Sequence, residues 1–209
     1  MNNEINPFLE KGIPEAVNEH WAAKRKASDA IKRLITGLSG ATNSAEELEA
    51  FADAVNQLAD NFPLSKDRMG FMDHVVDGNS GNSHQISHEQ NPIAGQSNPI
   101  APILHVNKTG DELHATVNYG YQYEGPPSFV HGGFIAAVFD QLCGIAQGEL
   151  EKPGFTGSLS IRYEKPVPLN TDISVIIKID RTEGRKIYVT GEMQLDRTVI
   201  SHCEALFIR

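Results

Sequence analysis

Cysteine is scarce in this sequence, which has only Cys143 and Cys203. Small secreted domains that depend on disulfides carry several cysteines at regular spacings. Here one cysteine falls in an apolar stretch that predicts a helix, and the other falls in a predicted strand. We therefore expect two reduced thiols in the core rather than a disulfide framework.

Positive charge is also in short supply. The chain has 18 Lys and Arg against 27 Asp and Glu, which gives a formal net charge of −9. Proteins that bind nucleic acid present clustered Lys and Arg to the phosphates. The charge balance therefore argues against a nucleic-acid partner.

Long apolar runs are missing as well. The longest uninterrupted run, Phe134–Phe139, is far too short to span a bilayer. Residues 1–12 show no apolar segment behind a basic stretch, as a secretory signal would. The 40% hydrophobic content nevertheless supports a sizeable core. We expect a soluble, cytoplasmic protein with no membrane partner.

The first part of the chain, residues 1–65, predicts a helical hairpin that extends the main domain. The first helix should start after Pro14 and end over Gly37–Gly40, and the second should follow the capping box Ser44–Glu47 and end at Pro63. The apolar residues expected to be available for burial are Val17, Trp21, Ile31, Leu34, Ile35, Leu48, Phe51, Val55, Leu58 and Phe62. Two helices cannot bury such faces alone, so the hairpin must pack on the main domain, on a second copy or over the substrate entrance.

Residues 66–101 lose the apolar period and are rich in Gly, Asn, Ser and Pro, which predicts a long loop or linker. His84, His88 and Glu89 lie in this segment at a spacing that would suit a metal site on a helix. Their surroundings do not favour a helix, and beyond the two histidines no firm third ligand is in reach. We interpret them as solvated loop residues and predict no metal ion and no other cofactor.

From residue 102 the apolar period changes to two, which is typical of strands that are buried on one face. Alternating or β-rich stretches occur at 113–119, 159–163, 173–179, 187–195 and 199–208, and an apolar helix at 129–148 follows the first of them. One apolar helix enclosed by a curved antiparallel sheet is the simplest packing for this order. The sequence therefore predicts an α+β domain over 102–209.

The predicted helix Phe129–Gly148 carries one carboxylate, Asp140. On a helical wheel, Ile135, Val138, Leu142 and Ile145 lie opposite Asp140 and should face the sheet. The side that bears Asp140 is predicted to be a trough of small residues, namely Gly133, Ala136, Ala137, Cys143 and Gly144. A ligand or a second backbone can approach the acid closely there, although a purely structural acid remains the alternative.

The helix begins with His131, Gly132 and Gly133. Two glycines at a first turn leave the backbone N–H groups uncovered, and the helix dipole adds partial positive charge. Such an end can hold an oxyanion. Histidine, two exposed amides and an acid two turns further along form the most specific combination in the chain.

These residues resemble a known family. The pattern H-G-G-x6-D-x3-G, with YEGPP at 123–127 before it and TGSLSIRYEKPVP at 156–168 after it, is similar to that of the hotdog-fold acyl-CoA thioesterases of the phenylacetate-pathway (PaaI-like) and thioesterase-superfamily-member branch. The resemblance extends from about Ile103 to Arg209. It implies a hotdog fold, in which an antiparallel sheet wraps around a central helix, and a side-by-side homodimer that can assemble further into a homotetramer.

The resemblance also implies a reaction, the hydrolysis of acyl-CoA to a free acid and CoA. An amide of Gly132 or Gly133 would polarise the thioester carbonyl, and Asp140 would act as nucleophile or general base across the dimer interface. The Thr156 hydroxyl would orient the water or the acid, although a threonine that merely begins a strand is equally compatible. His131 is interpreted as a positioning residue that hydrogen-bonds the backbone at the helix start. The alternative is a non-catalytic acyl-CoA or acyl-carrier-binding module, whereas the Asp-x4-His arrangement of hotdog hydratases is absent.

Overall fold

The computed structural model describes residues 6–62 and 69–209. Four helices precede an antiparallel sheet of six strands in the order β1-β2-β4-β5-β6-β3, and a fifth helix lies between β2 and β3 in sequence. The elements are α1 (Glu19–Ser39), α2 (Ala45–Asn61), α3 (Phe71–Asp77), α4 (Ser83–Gln90), β1 (Ile103–Thr109), β2 (Glu112–Asn118), α5 (Gly132–Gly148), β3 (Phe155–Tyr163), β4 (Asp172–Glu183), β5 (Lys186–Leu195) and β6 (Thr198–Ile208). The predicted α+β layout of an antiparallel sheet around one apolar helix is confirmed.

The core lies between α5 and the inner face of the sheet. The four aliphatic residues of α5 that the helical wheel placed opposite Asp140 are all buried. They pack with the inward residues of β2, β4, β5 and β6, which alternate with exposed residues along each strand. Only β1 was missing from the predicted strands, because its short alternation of Leu104 and Val106 gives way to polar residues.

Strand β3 lies at one edge of the sheet and is hydrogen-bonded only to β6 on its other side. Most of its residues are exposed, including Phe155, whereas Tyr163 is about half exposed. An edge strand with unpaired backbone groups is a natural place for a second chain to add to the sheet. Helix α5 packs on β4 and β5 and also contacts this edge strand.

The N-terminal helices differ in detail from the prediction. Helix α1 begins at Glu19, capped by the Asn18 side chain, and not directly after Pro14. Trp21 is fully buried, whereas Val17, Ile31 and Leu34, which were expected to be available for burial, are exposed. Helix α2 begins with the predicted capping box but buries none of its residues. The predicted end of α2 at Pro63 lies outside the described residues.

The prediction of a long loop over 66–101 is wrong where the structure describes that segment. Helices α3 and α4 occupy much of it, and His88 and Glu89 are buried rather than solvated. Both helices are short, and α4 is started by a capping box at Asn82. Because short helices held by caps and tertiary contacts have little apolar periodicity, a sequence pattern does not detect them. No helix in the described ranges is long and apolar enough to cross a membrane.

Candidate active site

The start of α5 is organised by the side chain of His131, which caps the helix. Its Nδ1 accepts a hydrogen bond from the Gly133 N–H at 3.0 Å, while its own backbone N–H donates to the Tyr123 carbonyl at 2.8 Å. Since a backbone amide can only donate, Nδ1 carries no proton in this arrangement. The His131 side chain therefore hydrogen-bonds the backbone at the helix start, which is the type of contact that the sequence predicts for it.

The two glycine amides at this helix start are consequently not equivalent. The Gly133 N–H is occupied by His131. The Gly132 N–H has no hydrogen-bond partner among the described residues, as befits the first residue of a helix. Of the two amides that the sequence offered, only that of Gly132 is free to donate to a ligand.

Asp140 lies two turns further along α5 and is exposed in the single chain. The Thr156 hydroxyl of β3 donates to Asp140 Oδ1 at 3.0 Å. Thr156 is placed there by the pairing of β3 with β6, whose register shifts between Thr156 and Ser158. The hydroxyl fixes one carboxylate oxygen, which leaves the other available to a water molecule or a substrate.

The trough of small residues around Asp140 is present, with one correction. Gly133 is exposed, Ala136 and Ala137 are half-buried, and a Cβ added at Gly144 would meet no atom within 4 Å. Cys143, however, does not line the trough, because it is fully buried and its Sγ lies 3.7 Å from that of Cys203. The hydrogen bond to Cys203 and burial raise the pKa of the Cys143 thiol, which disfavours the reactive thiolate.

Sequence reasoning missed two contacts that hold α5 in place. The Tyr163 hydroxyl donates to the Gly132 carbonyl at 3.0 Å. The Asn91 side-chain amide donates to Gln141 Oε1 at 2.8 Å and so joins α5 to the segment that follows α4. Both contacts connect elements that are far apart in the chain, and no local sequence signal announces them.

His88 and Glu89, which the sequence analysis considered as metal ligands, are buried residues of α4. Glu89 lies on α4, is 1% exposed and forms a bidentate ion pair with Arg25 of α1, with side-chain distances of 2.5 to 3.1 Å. Ser97 donates a further hydrogen bond to the same carboxylate at 2.5 Å. Burial lowers the pKa of His88 to about 4, so that its imidazole is neutral near pH 7. Within the described part of the chain, no three His, Cys, Asp or Glu residues converge on a metal position.

Comparisons with known proteins match the segment of the chain that carries these residues. A sequence model of the thioesterase superfamily matches residues 128–199, which include His131, Gly132, Asp140 and Thr156. The chain is similar to the acyl-coenzyme A thioesterase THEM4 of Rattus norvegicus, with 29% identity over 146 residues, 66% of this chain and 62% of the relative. The protein of the same name from Mus musculus is 36% identical over 108 residues, 49% of this chain and 45% of the relative. These alignments span less than two thirds of the length of each relative.

A solved structure extends the similarity beyond the hotdog domain. The crystal structure of a thioesterase superfamily protein superposes with a TM-score of 0.72 at 29% sequence identity, and the match covers 88% of this chain and 94% of that one. Residues 102–209 make up only about half of the chain, so a match of this extent includes much of the N-terminal helical part. The resemblance drawn from the sequence alone began only at about Ile103.

Proposed function

We propose that this chain, whose residues 128–199 match a sequence model of the thioesterase superfamily, hydrolyses acyl-CoA thioesters to a free acid and CoA. The observation that carries the proposal is that α5 bears both a free helix-start amide, that of Gly132, and, two turns further along, an acid held by a hydroxyl, Asp140 with Thr156. The first group suits the carbonyl oxygen of a thioester, and the second suits the attack on its carbon. The names of the THEM4 relatives are consistent with this substrate class.

The carbonyl oxygen of the substrate would accept a hydrogen bond from the Gly132 N–H. Negative charge develops on that oxygen as the carbonyl carbon becomes tetrahedral, and a fixed donor with helix-dipole charge behind it stabilises the charge without reorganisation. The Gly133 amide is excluded from this role in the described geometry because it already donates to His131.

Asp140 would provide the attacking group. As a general base it takes a proton from a water molecule, whose oxygen adds to the carbonyl carbon. As a nucleophile it adds directly and forms a mixed anhydride, which water then hydrolyses. In both routes the C–S bond breaks, CoA leaves as the thiol after gaining a proton, and the acid is released. The Thr156 hydroxyl would keep the carboxylate in the correct orientation.

The distance between the two groups implies that the site uses two chains. Asp140 follows Gly132 by eight residues on α5, and the helical rise of about 1.5 Å per residue separates them by about 12 Å along the axis. A single thioester carbonyl cannot contact both groups of one chain. We therefore propose a homodimer formed at the β3 edge, in which Asp140 of one copy works with Gly132 of the other.

The reaction is tested by following thiol release under multiple turnover from short, medium, long and aromatic acyl-CoA thioesters. Asp140→Asn should lower kcat by about two orders of magnitude or more, with a smaller change in KM. Because asparagine keeps the volume of the side chain and its oxygen can still accept from the Thr156 hydroxyl, the variant should retain its stability within about 1 kcal/mol. Asp111→Asn, at an exposed acid in the turn between β1 and β2, is the matched control and should hydrolyse normally.

Two results would contradict the proposal. A folded Asp140→Asn variant with near-normal kcat would make Asp140 a structural acid. A wild-type chain that binds acyl-CoA without releasing thiol would instead be a non-catalytic binding module.

A further inference from the structure

We propose that Tyr163 is a positioning residue that fixes the amide donor at the start of α5, an inference that rests on the proposed function. Its hydroxyl lies 3.0 Å from the Gly132 carbonyl oxygen. Its ring also lies against Gly132, because a Cβ added there would be 3.3 Å from the Tyr163 hydroxyl oxygen and 3.4 Å from Cζ. Nothing in the local sequence of β3 distinguishes this tyrosine from a surface aromatic.

The bonded carbonyl is part of the peptide group that joins Gly132 to Gly133. A peptide group is planar, so a hydrogen bond at either end constrains the orientation of the whole unit. Tyr163 holds the carbonyl end, and His131 Nδ1 holds the N–H end. A side chain therefore forms a hydrogen bond to each end of this peptide group.

These two hydrogen bonds are needed because the residues that they hold are glycines. Two successive glycines have wide conformational freedom, and the first turn of a helix lacks the intrahelical bonds that fix its N–H groups. The free Gly132 N–H is attached to the same residue whose carbonyl Tyr163 holds. Fixing that residue aims the donor at one position, and catalysis depends on such fixed geometry.

The same strand also fixes the acid. Thr156 at one end of β3 donates to Asp140, and Tyr163 at the other end donates to Gly132. Strand β3 thus contacts both catalytic elements of α5 through hydroxyl groups. The spacing of these two hydroxyls on one rigid strand sets where the acid and the amide of each chain point.

The test is Tyr163→Phe, which keeps the ring and removes only the hydroxyl. We expect kcat to fall about tenfold while KM changes less than about twofold, because the lost contact acts on a transition-state donor. Tyr121→Phe is the matched control, since Tyr121 is 50% exposed against 51% for Tyr163 and its hydroxyl has no partner among the described residues. The control should leave both constants unchanged.

A second readout does not depend on turnover. In chains labelled with 15N-glycine, the Gly133 amide should exchange with solvent about fivefold faster in Tyr163→Phe, the factor expected from the net loss of one hydrogen bond. Core amides and the melting temperature should stay as in the parent protein, and Tyr121→Phe should show no change at Gly133.

Each combination of results decides the question. Faster Gly133 exchange together with a selective loss of kcat supports the positioning role. Unchanged exchange, or faster exchange with normal kcat, overturns it. If kcat and the melting temperature both fall and KM also changes, Tyr163 is a structural residue and the proposal is equally overturned. If the parent protein hydrolyses no acyl-CoA, the proposed function fails, while the exchange ratio still decides whether Tyr163 holds the helix start.

Discussion

The structure distinguishes the Gly132 amide from the Gly133 amide as a possible donor to the substrate, which the sequence does not. The Gly132 N–H is free, whereas that of Gly133 donates to His131. Either glycine could donate as far as the sequence shows, because both lie in the first turn of the same predicted helix. The choice between them depends on a side-chain rotamer, which no sequence pattern specifies.

Gly132→Pro should remove the donor while keeping the helix. Proline is tolerated at the first helical position, and the preceding His131 already has the extended conformation that proline requires, with φ −64° and ψ 130°. We expect kcat/KM to fall about 100-fold or more. Gly132→Ala adds a comparable Cβ, 3.3 Å from the Tyr163 hydroxyl, but keeps the N–H, and should lose much less. Equal rates for the two variants in a thiol-release assay would disprove this role.

His88 should make the protein sensitive to mild acid. Burial lowers its pKa to about 4, so between that value and the unfolded pKa of about 6.5 the unfolded state binds more protons than the folded state. Stability should therefore fall as the pH drops through this window, by up to about 3 kcal/mol from this group. Urea unfolding between pH 4 and 7 should show a flatter dependence in His88→Gln than in the parent protein. His84→Gln, one turn earlier on α4, should keep the slope of the parent, and an equal slope in all three would refute the assignment.

At the scale of the elements, α4 is where sequence reasoning failed and the tertiary contacts explain why. The segment looked like a polar loop because its helix carries Ser, His, Gln and Glu and only one aliphatic residue, Ile86. The helix is stabilised by its capping box and by the pairing of Glu89 with Arg25, a residue of a different helix. A polar residue that is buried through a distant partner has the same sequence signature as a solvated one.

Breaking that ion pair should be costly. Arg25→Ala leaves the Glu89 carboxylate, 1% exposed, without its cation. We expect a loss of about 3 to 5 kcal/mol of unfolding free energy, measured by denaturant titration. Arg33→Ala removes an exposed arginine of the same helix that has no ion pair among the described residues, and should change stability by less than about 0.5 kcal/mol. Similar losses for the two variants would contradict this account of the N-terminal part.

This ion pair also connects α1, in the N-terminal part, to the segment that follows that part in sequence. Arg25 additionally donates to the Pro14 carbonyl at 2.8 Å, so α1 is tied both to α4 and to the segment before it. Removal of α1 would take away the cation that pairs with Glu89. The N-terminal helices should therefore contribute to the stability of the whole chain even though they carry none of the proposed catalytic groups.

At the scale of the whole molecule, the proposed dimer can be tested by mixing two inactive variants. If Asp140 of one chain works with Gly132 of the other, a mixed dimer of Asp140→Asn and Gly132→Pro has one site with both defects and one site with none. Such a dimer, purified with two different tags, should recover about half of the parental activity, whereas each variant alone stays at its low rate. A mixed dimer as inactive as its parents, or an active monomer in light scattering, would disprove the shared site.

The sequence by itself determined the α+β class, most strands, the apolar face of α5 and the residue types of the site. These features depend on period, spacing and residue chemistry, which are local properties of the chain. His131, Gly132 and Asp140 could be named from their spacing on one predicted helix, whereas Thr156 was named because it matches a position of the family that the chain resembles.

Only the tertiary structure decided which of these groups meet. Three hydrogen bonds depend on it: those of Thr156 with Asp140, of Gly133 with His131 and of Tyr163 with Gly132. The ion pair of the buried Glu89 with Arg25 depends on it as well. The tertiary structure also turned Cys143 away from the trough and towards Cys203. Each of these outcomes depends on the packing of elements that are distant in sequence, and the identity of a buried polar residue does not name its partner.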